Sequence, residues 1–291
     1  MSEKRAYGAV LAGAALWGII GIWSRGLMAG GFSPWSIVVV RNFGSLLVLT
    51  VLFSLMGIPV WQVKGRDLKY FFGTGVVSVL LFTFCYFSCQ QLCSLAVAAI
   101  LLYTAPTFVV ILSALLWKEA VTWQKGAALL LTLLGCSLVT GILSGSLLVT
   151  WQGVLLGLGA GFFYALYSIF GRYALERYQP LVVTYWTFVF CGLVSLLFAR
   201  PAELSLLESP SMLGLSLGLV IFSTVLPYGL YTIGLARVQA SQASIAASFE
   251  PVVAAVTGIF MFGEAMDLFT FMGIGCVIAG ICVLNCRRKS S

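Results

Sequence analysis

Two charged side chains stand inside long apolar runs, and chemistry is most expected there. Arg41 lies about seven residues into the run 34–56, roughly 10 Å below its start at ~1.5 Å per helical residue. Glu250 lies about ten residues into the run 240–262, near its middle. A charge at the centre of a membrane-spanning helix costs at least ~2.5–3.5 kcal/mol, so it faces a cavity or a partner. In one reading Arg41 holds an anionic group and Glu250 a proton or a cationic group. In the other they form a structural ion pair, or Arg41 snorkels outward along its aliphatic stem.

Aromatic side chains accompany these charges. Trp17, Tyr86, Tyr103, Tyr164, Trp186 and Tyr228 all fall in the middle of apolar runs. A polar ring tip inside a bilayer needs a partner, and ring faces bind cations. Trp17, Tyr103, Tyr164, Trp186 and Tyr228 are therefore expected along a substrate pathway, with plain packing as the alternative. Trp23, Trp35, Trp117, Trp123 and Trp151 lie near run ends and read as an interfacial belt.

Three prolines punctuate the same runs. Pro106 and Pro251 each remove one helical bond and free the carbonyls of Leu102 and Ala247. Each bend either shapes a cavity or lets a half-helix move, and Pro227 is expected to do likewise. Glu119 and Glu264 stand at helix ends, followed by Thr122 and Asp267 as caps of the next helix. They read as structural anchors. Glu176 with Arg172 and Arg177 reads as an exposed charge cluster.

Other groupings carry less. Cys85, Cys89 and Cys93 recur every four residues, but the chain has no histidine, so small buried hydrophobes are expected in place of a metal site. Cys286 beside Arg287, Arg288 and Lys289 would suit lipidation, which nothing requires. Gly153, Gly157 and Gly161 share one helix face and predict close helix packing within the monomer. No glycine-rich turn is followed by a Lys-Ser/Thr pair, so a nucleotide phosphate site is not expected, and no cofactor is implied.

The elements that must hold these residues follow from composition. Of 291 residues, 61% are hydrophobic and only 9% charged, against about 25% charged in a soluble domain. Mean hydropathy is +1.07. Ten apolar runs are read at about 6–28, 34–56, 68–89, 93–117, 123–142, 150–171, 180–200, 212–236, 240–262 and 267–285. Backbone groups in lipid must bond internally, so each run is expected to be a helix. The first run is too long for the core of a signal peptide and reads as an uncleaved helix. Breaks carry turn or charge signals, such as Ser33-Pro34, Lys64-Gly65-Arg66-Asp67, Ser144-Gly145-Ser146 and Gln179-Pro180. With the N-terminus in the cytoplasm, thirteen basic residues fall on the inner side and only Arg25 and Arg200 on the outer. That places both termini in the cytoplasm of a plasma-membrane protein. The net charge of +7 is thereby a signal of orientation and not of nucleic-acid binding.

The chain also repeats itself. An offset of 145 places Pro106 on Pro251, Glu119-Ala120 on Glu264-Ala265 and Gly135 on Gly280. Near an offset of 147, Trp17 meets Tyr164 and Arg25 meets Arg172. Five helices per half is an odd number, so the halves, 1–145 and 146–291, insert in opposite directions. Inverted repeats are a transporter architecture with a midplane site.

These residues carry a resemblance. Tyr103-Thr104-Ala105-Pro106 ending in Trp117-Lys118-Glu119-Ala120, and Phe249-Glu250-Pro251 ending in Phe262-Gly263-Glu264-Ala265, resemble the signature of the EamA-type drug/metabolite transporters. Leu16-Trp17-Gly18 and Ser33-Pro34 followed by Arg41 resemble that family's first two helices. Thr187 stands where a second copy of Arg41 would be. The resemblance implies an all-α membrane protein of ten helices in a 5+5 inverted repeat. It also implies export of small polar metabolites, amino acids among them, driven by a proton or another gradient. Proton-coupled efflux of cationic drugs is the alternative. It is weakened because residues 6–28 lack the acid that small multidrug carriers place in their first helix. An enzyme or a non-transporting scaffold fits less well. The expected partners are a small-molecule substrate and the lipid bilayer.

Overall fold

The computed structural model describes residues 1–141, 148–264 and 266–285. The expected turn at Ser144-Gly145-Ser146, Ala265 of the second motif, and Cys286 with its basic neighbours lie outside these described residues. Nine helices long and apolar enough to cross a membrane, and one shorter apolar helix, run through the described residues. They are α1 (Glu3–Ala29), α2 (Pro34–Leu55), α3 (Gly65–Leu92), α4 (Leu95–Trp117), α5 (Trp123–Val139), α6 (Trp151–Leu175), α7 (Pro180–Phe198), α8 (Pro210–Leu235), α9 (Ala240–Phe262) and α10 (Leu268–Asn285). Their boundaries are set by caps and turns. Ser33, Thr122 and Thr150 accept from the amides of Ser36, Lys125 and Gly153, and Asp267 accepts from Thr270 at 2.7 Å. Each bond satisfies an amide that the first helical turn leaves unpaired.

The chain is a 5+5 inverted repeat, and the repeat shows in the packing. α5 packs on α10 and α2 on α7; α1 packs with α8 and α9, and its counterpart α6 packs with α3 and α4. Details recur at the same offsets. A Cβ on Gly73 would meet the ring of Phe170, and a Cβ on Gly218 would meet the ring of Trp23. Gly153, Gly157 and Gly161 let α6 approach Cys93, Leu101 and Thr104 closely, within the monomer as their spacing suggests. Cys89 and Cys93 pack with Val97 and Ala98 as small apolar groups.

α4 and α9 are each divided in two. α4a (Leu95–Leu102) meets α4b (Ala105–Trp117), and α9a (Ala240–Ala247) meets α9b (Glu250–Phe262). The bend expected at each proline is made just ahead of it, by a tight turn. Thr104 N–H bonds to Leu101 C=O and Thr107 N–H to Thr104 C=O, as Phe249 N–H bonds to Ala246 C=O and Val252 N–H to Phe249 C=O. Pro106 and Pro251 then sit in the first turn of the following half-helix, where a missing N–H costs nothing.

Pro227 stands beside an unwound turn. It follows a wide π-helical turn over Ile221–Val225, and α3 carries the same turn over Gly73–Leu80 with Phe82 where Pro227 would be. The local unwinding therefore belongs to both repeats and does not need the proline.

One asymmetry breaks the repeat. The face that carries Glu3, Lys125 and the end of α10 is termed here the basic face. On that side α9a packs against α4b and α6. Its counterparts on the opposite side, α4a with α9b and α4a with α1, make no more than marginal contact among the described residues. Burial agrees. All of α9a except Gln242 is buried, whereas only Val97 and Ala98 are buried in α4a. The seam between the half {α3, α4, α6} and the half {α1, α8, α9} is shut at the basic face and parted at the opposite face.

Candidate functional site

Glu250 opens α9b at the floor of the parted seam. It is placed there by Gly18, where α1 is interrupted between Glu3–Gly18 and Ile20–Ala29. A Cβ at Gly18 would lie 2.7 Å from the Glu250 carbonyl oxygen and 2.6 Å from Val253 Cβ. Only glycine permits that approach. Phe249 and Val252, on either side of Glu250, pack with Tyr103 and Cys136 in one cluster. Arg41 and Glu250 are not among the ion pairs within 4 Å found in the described residues. Arg41 points inward and donates from Nη2 to Tyr228 Oη at 3.4 Å, with its Nε buried and unpartnered.

Tyr228 is the hub of an aromatic box. Trp17, Tyr167 and Phe188 meet its ring edge-on at 5.1, 5.2 and 5.3 Å between centroids. Below it a narrow cavity of ≈ 10 Å³ is lined by Trp17, Tyr164, Tyr167, Ser168, Tyr228, Tyr231, Ser244 and Ala247. The structure thus brings Trp17, Tyr103, Tyr164, Tyr228, Arg41 and Glu250 together. Trp186 it does not. Its indole N–H donates to Val60 C=O at 2.8 Å, and its ring packs on Trp61 and Phe71 in the loop region of the basic face.

Below the box the seam is pinned by hydroxyls. Tyr167 and Thr232 share a hydrogen bond of 2.8 Å, and Ser168 and Tyr231 one of 2.7 Å. Sequence reading missed these four residues. Their signal was legible: Tyr164-x-x-Tyr167-Ser168 on α6 and Tyr228-x-x-Tyr231-Thr232 on α8 share one spacing, which puts each tyrosine–hydroxyl pair on one helix face.

Glu119 and Glu264 are helix-end residues, held by matching geometry. Lys118 and Gly263 both take the left-handed conformation, with φ of 53° and 67°. The next amide, of Glu119 or Glu264, bonds back to Ser113 or Gly258 C=O. Arg172 lies over the Trp117 ring at 4.3 Å and pairs with Glu119, as Arg25 lies over the Phe262 ring at 4.2 Å and pairs with Glu264. Trp117, at the end of α4, packs on Arg172 and Tyr173. One reading needs correction here. Arg172 and Arg177 are engaged by Glu119 and by buried Asp67, so they form no free cluster with Glu176. Glu119 also accepts from Lys125 Nζ at 3.4 Å and from Ser241 Oγ at 2.5 Å. Burial works to raise the Glu119 carboxyl, but Ser241, Lys125 and Arg172 outweigh it and hold it below the usual range.

Comparison with known proteins agrees with this architecture. The model of the EamA-like transporter family matches twice, over residues 4–141 and 151–286. The chain belongs to the EamA-like transporter family. An uncharacterized transporter of Archaeoglobus fulgidus is 27% identical over 241 residues, covering 83% of this chain and 86% of that one. The uncharacterized inner membrane transporter YicL of Salmonella typhimurium is 24% identical over 287 residues, covering 97% and 96%. The threonine/homoserine exporter RhtA of Escherichia coli K12 is 31% identical over 147 residues, 49% of this chain and 48% of that one. A solved crystal structure superposes with a TM-score of 0.81 over 98% of this chain and 97% of the other, at 19% identity. It shares the fold.

Proposed function

We propose that this EamA-like transporter exports small zwitterionic metabolites, with amino acids as the leading class. One observation carries the reading: Arg41 meets the aromatic box at Tyr228 and Glu250 enters it against Gly18, beside Trp17, and the two are not among the ion pairs within 4 Å found in the described residues. A cation and an anion held apart at midplane match the carboxylate and amine of an amino acid. Tyr228 and Trp17 supply ring edges and faces between them. A relative over half the chain is named a threonine/homoserine exporter, which supports the same class.

The basic face is assigned to the cytoplasm on the distribution of Lys and Arg. Substrate would then load when the basic-face seam opens and leave through the seam now parted. Glu250 is the group proposed to exchange a proton for the substrate amine. Efflux of a cationic drug remains the second reading, since Glu250 and the tyrosines alone would serve it. The test is counterflow in proteoliposomes with a panel of labelled amino acids and lipophilic cations. Uptake of zwitterions that is lost in both Arg41→Gln and Glu250→Gln supports the proposal. Cation transport that survives Arg41→Gln, with no zwitterion flux, overturns it.

A further inference from the structure

Among the described residues, the hydrogen bonds that close the basic-face seam have no counterparts across the repeat. Tyr167–Thr232 and Ser168–Tyr231 join α6 to α8, and Ser241–Glu119 joins α9a to the end of α4. The offset of 147 relates Tyr167 and Ser168 to Ile20 and Gly21 on α1. The offset of 145 relates Ser241 to Ala96 on α4a, and Thr232 to Phe87 on α3. Both offsets are those at which Gly73–Phe170 and Gly218–Trp23 superpose as matching contacts. When the opposite face closes, the carboxylate of Glu264 will therefore meet Ala96 in place of a serine, and Tyr86 will meet Ile20 and Gly21 in place of hydroxyls. One seam is pinned by hydrogen bonds, and the other lacks the hydroxyl partners that would pin it in the same way.

We infer that Ser241, Tyr167 and Ser168 are positioning residues that latch the basic-face gate, so that the empty carrier rests with its basic face shut. None of them is hydrogen-bonded to Arg41 or Glu250 among the described residues; Ser241 acts through the packing of α9a on α4b and α6, and Tyr167 and Ser168 through the junction of α6 with α8. Each bond removed should shift the ratio of the two states by roughly two- to ten-fold. A ligand loading from the basic face meets only the fraction of carriers that is open there, so its apparent affinity is reduced by that fraction. The consequence for transport rests on the function proposed above. The gate itself does not.

Hydrogen exchange by mass spectrometry on the full chain in lipid nanodiscs, without substrate, tests this. In the wild type, 240–247 should exchange far more slowly than 95–102. Ser241→Ala, which copies Ala96, and Ser241→Ala with Tyr167→Phe should speed exchange in 240–247 and slow it in 95–102. The reciprocal change separates a switched gate from a loosened helix. Ala96→Ser, which gives Glu264 the hydroxyl it lacks, should produce the same reciprocal shift from the other side while leaving the latch intact. In counterflow from the basic face, Ser241→Ala should lower KM two- to ten-fold. Faster exchange in 240–247 with no slowing in 95–102, or no change in either segment, overturns the latch. Because no substrate is present, the exchange result holds whatever the carrier transports.

Discussion

Ser241 donates to Glu119 at 2.5 Å across the shut seam, whereas the repeat-related Glu264 pairs with Arg25 at 2.7 Å where both side chains are exposed. Chain position makes the two glutamates equivalent, and burial makes them different. The side chains of Glu119 and Lys125 are each 5% exposed, and those of Arg25 and Glu264 are 52% and 47% exposed. Breaking a buried pair strands a charge and costs about 3–5 kcal/mol, while an exposed pair is worth about 0–1 kcal/mol. Glu119→Gln should therefore lower the unfolding temperature in detergent by many degrees, and Glu264→Gln by few. Equal shifts would mean that Lys125 finds another partner.

Gly18 is predicted to be the most sensitive small residue near the site. A methyl there would push on the Glu250 carbonyl and on Val253, and so on the start of α9b. Gly8, on the same helix, has nothing within 4 Å of a built Cβ. Gly18→Ala should reduce counterflow at least tenfold with the protein still folded, because ~1 Å of displacement at a binding group is costly. Gly8→Ala should leave flux near wild type. Wild-type flux in Gly18→Ala would detach α1 from the placement of Glu250.

Much of this was open to sequence reading, for physical reasons. Lipid forces internal backbone bonding, so ten apolar runs had to be helices. A buried charge is costly, so Arg41 and Glu250 stood out. What stayed hidden was contact across the seam. Tyr167 and Tyr231 look like core aromatics until their partners Thr232 and Ser168 are placed opposite, and that needs three dimensions. Trp186 misled because depth along a helix says nothing about which neighbour a ring faces. Arg172 misled because its partner Glu119 is 53 residues away in the chain.

Pro227 should matter less than a proline inside a transmembrane helix suggests. The π-helical turn ahead of it recurs in α3 without a proline. Pro227→Ala should keep expression and flux within about twofold of wild type, since the wide turn has already redirected the carbonyls. A large loss of flux with intact folding would return the hinge role to the proline.

The last prediction concerns acid. Glu203 is held at about 2 by hydrogen bonds from Ser33, helped by Ser36 and Arg200. Glu119 is lowered by Ser241, Lys125 and Arg172 despite burial. Each group has a folded value below its unfolded one, so the folded state binds fewer protons. The stability these groups add is fully present above the unfolded values, near pH ~4–4.5. It is lost as pH falls through the folded values. The hydrogen-bond and ion-pair partners of the Glu119 carboxylate among the described residues are Lys125, Arg172 and Ser241. The gap in unfolding temperature between wild type and Glu119→Gln should accordingly stay constant from pH 8 to about 5 and narrow below about 4.5. A gap that narrows between pH 7 and 5 would show that Glu119 takes up a proton in the working range, and the basic-face latch would then be a pH switch.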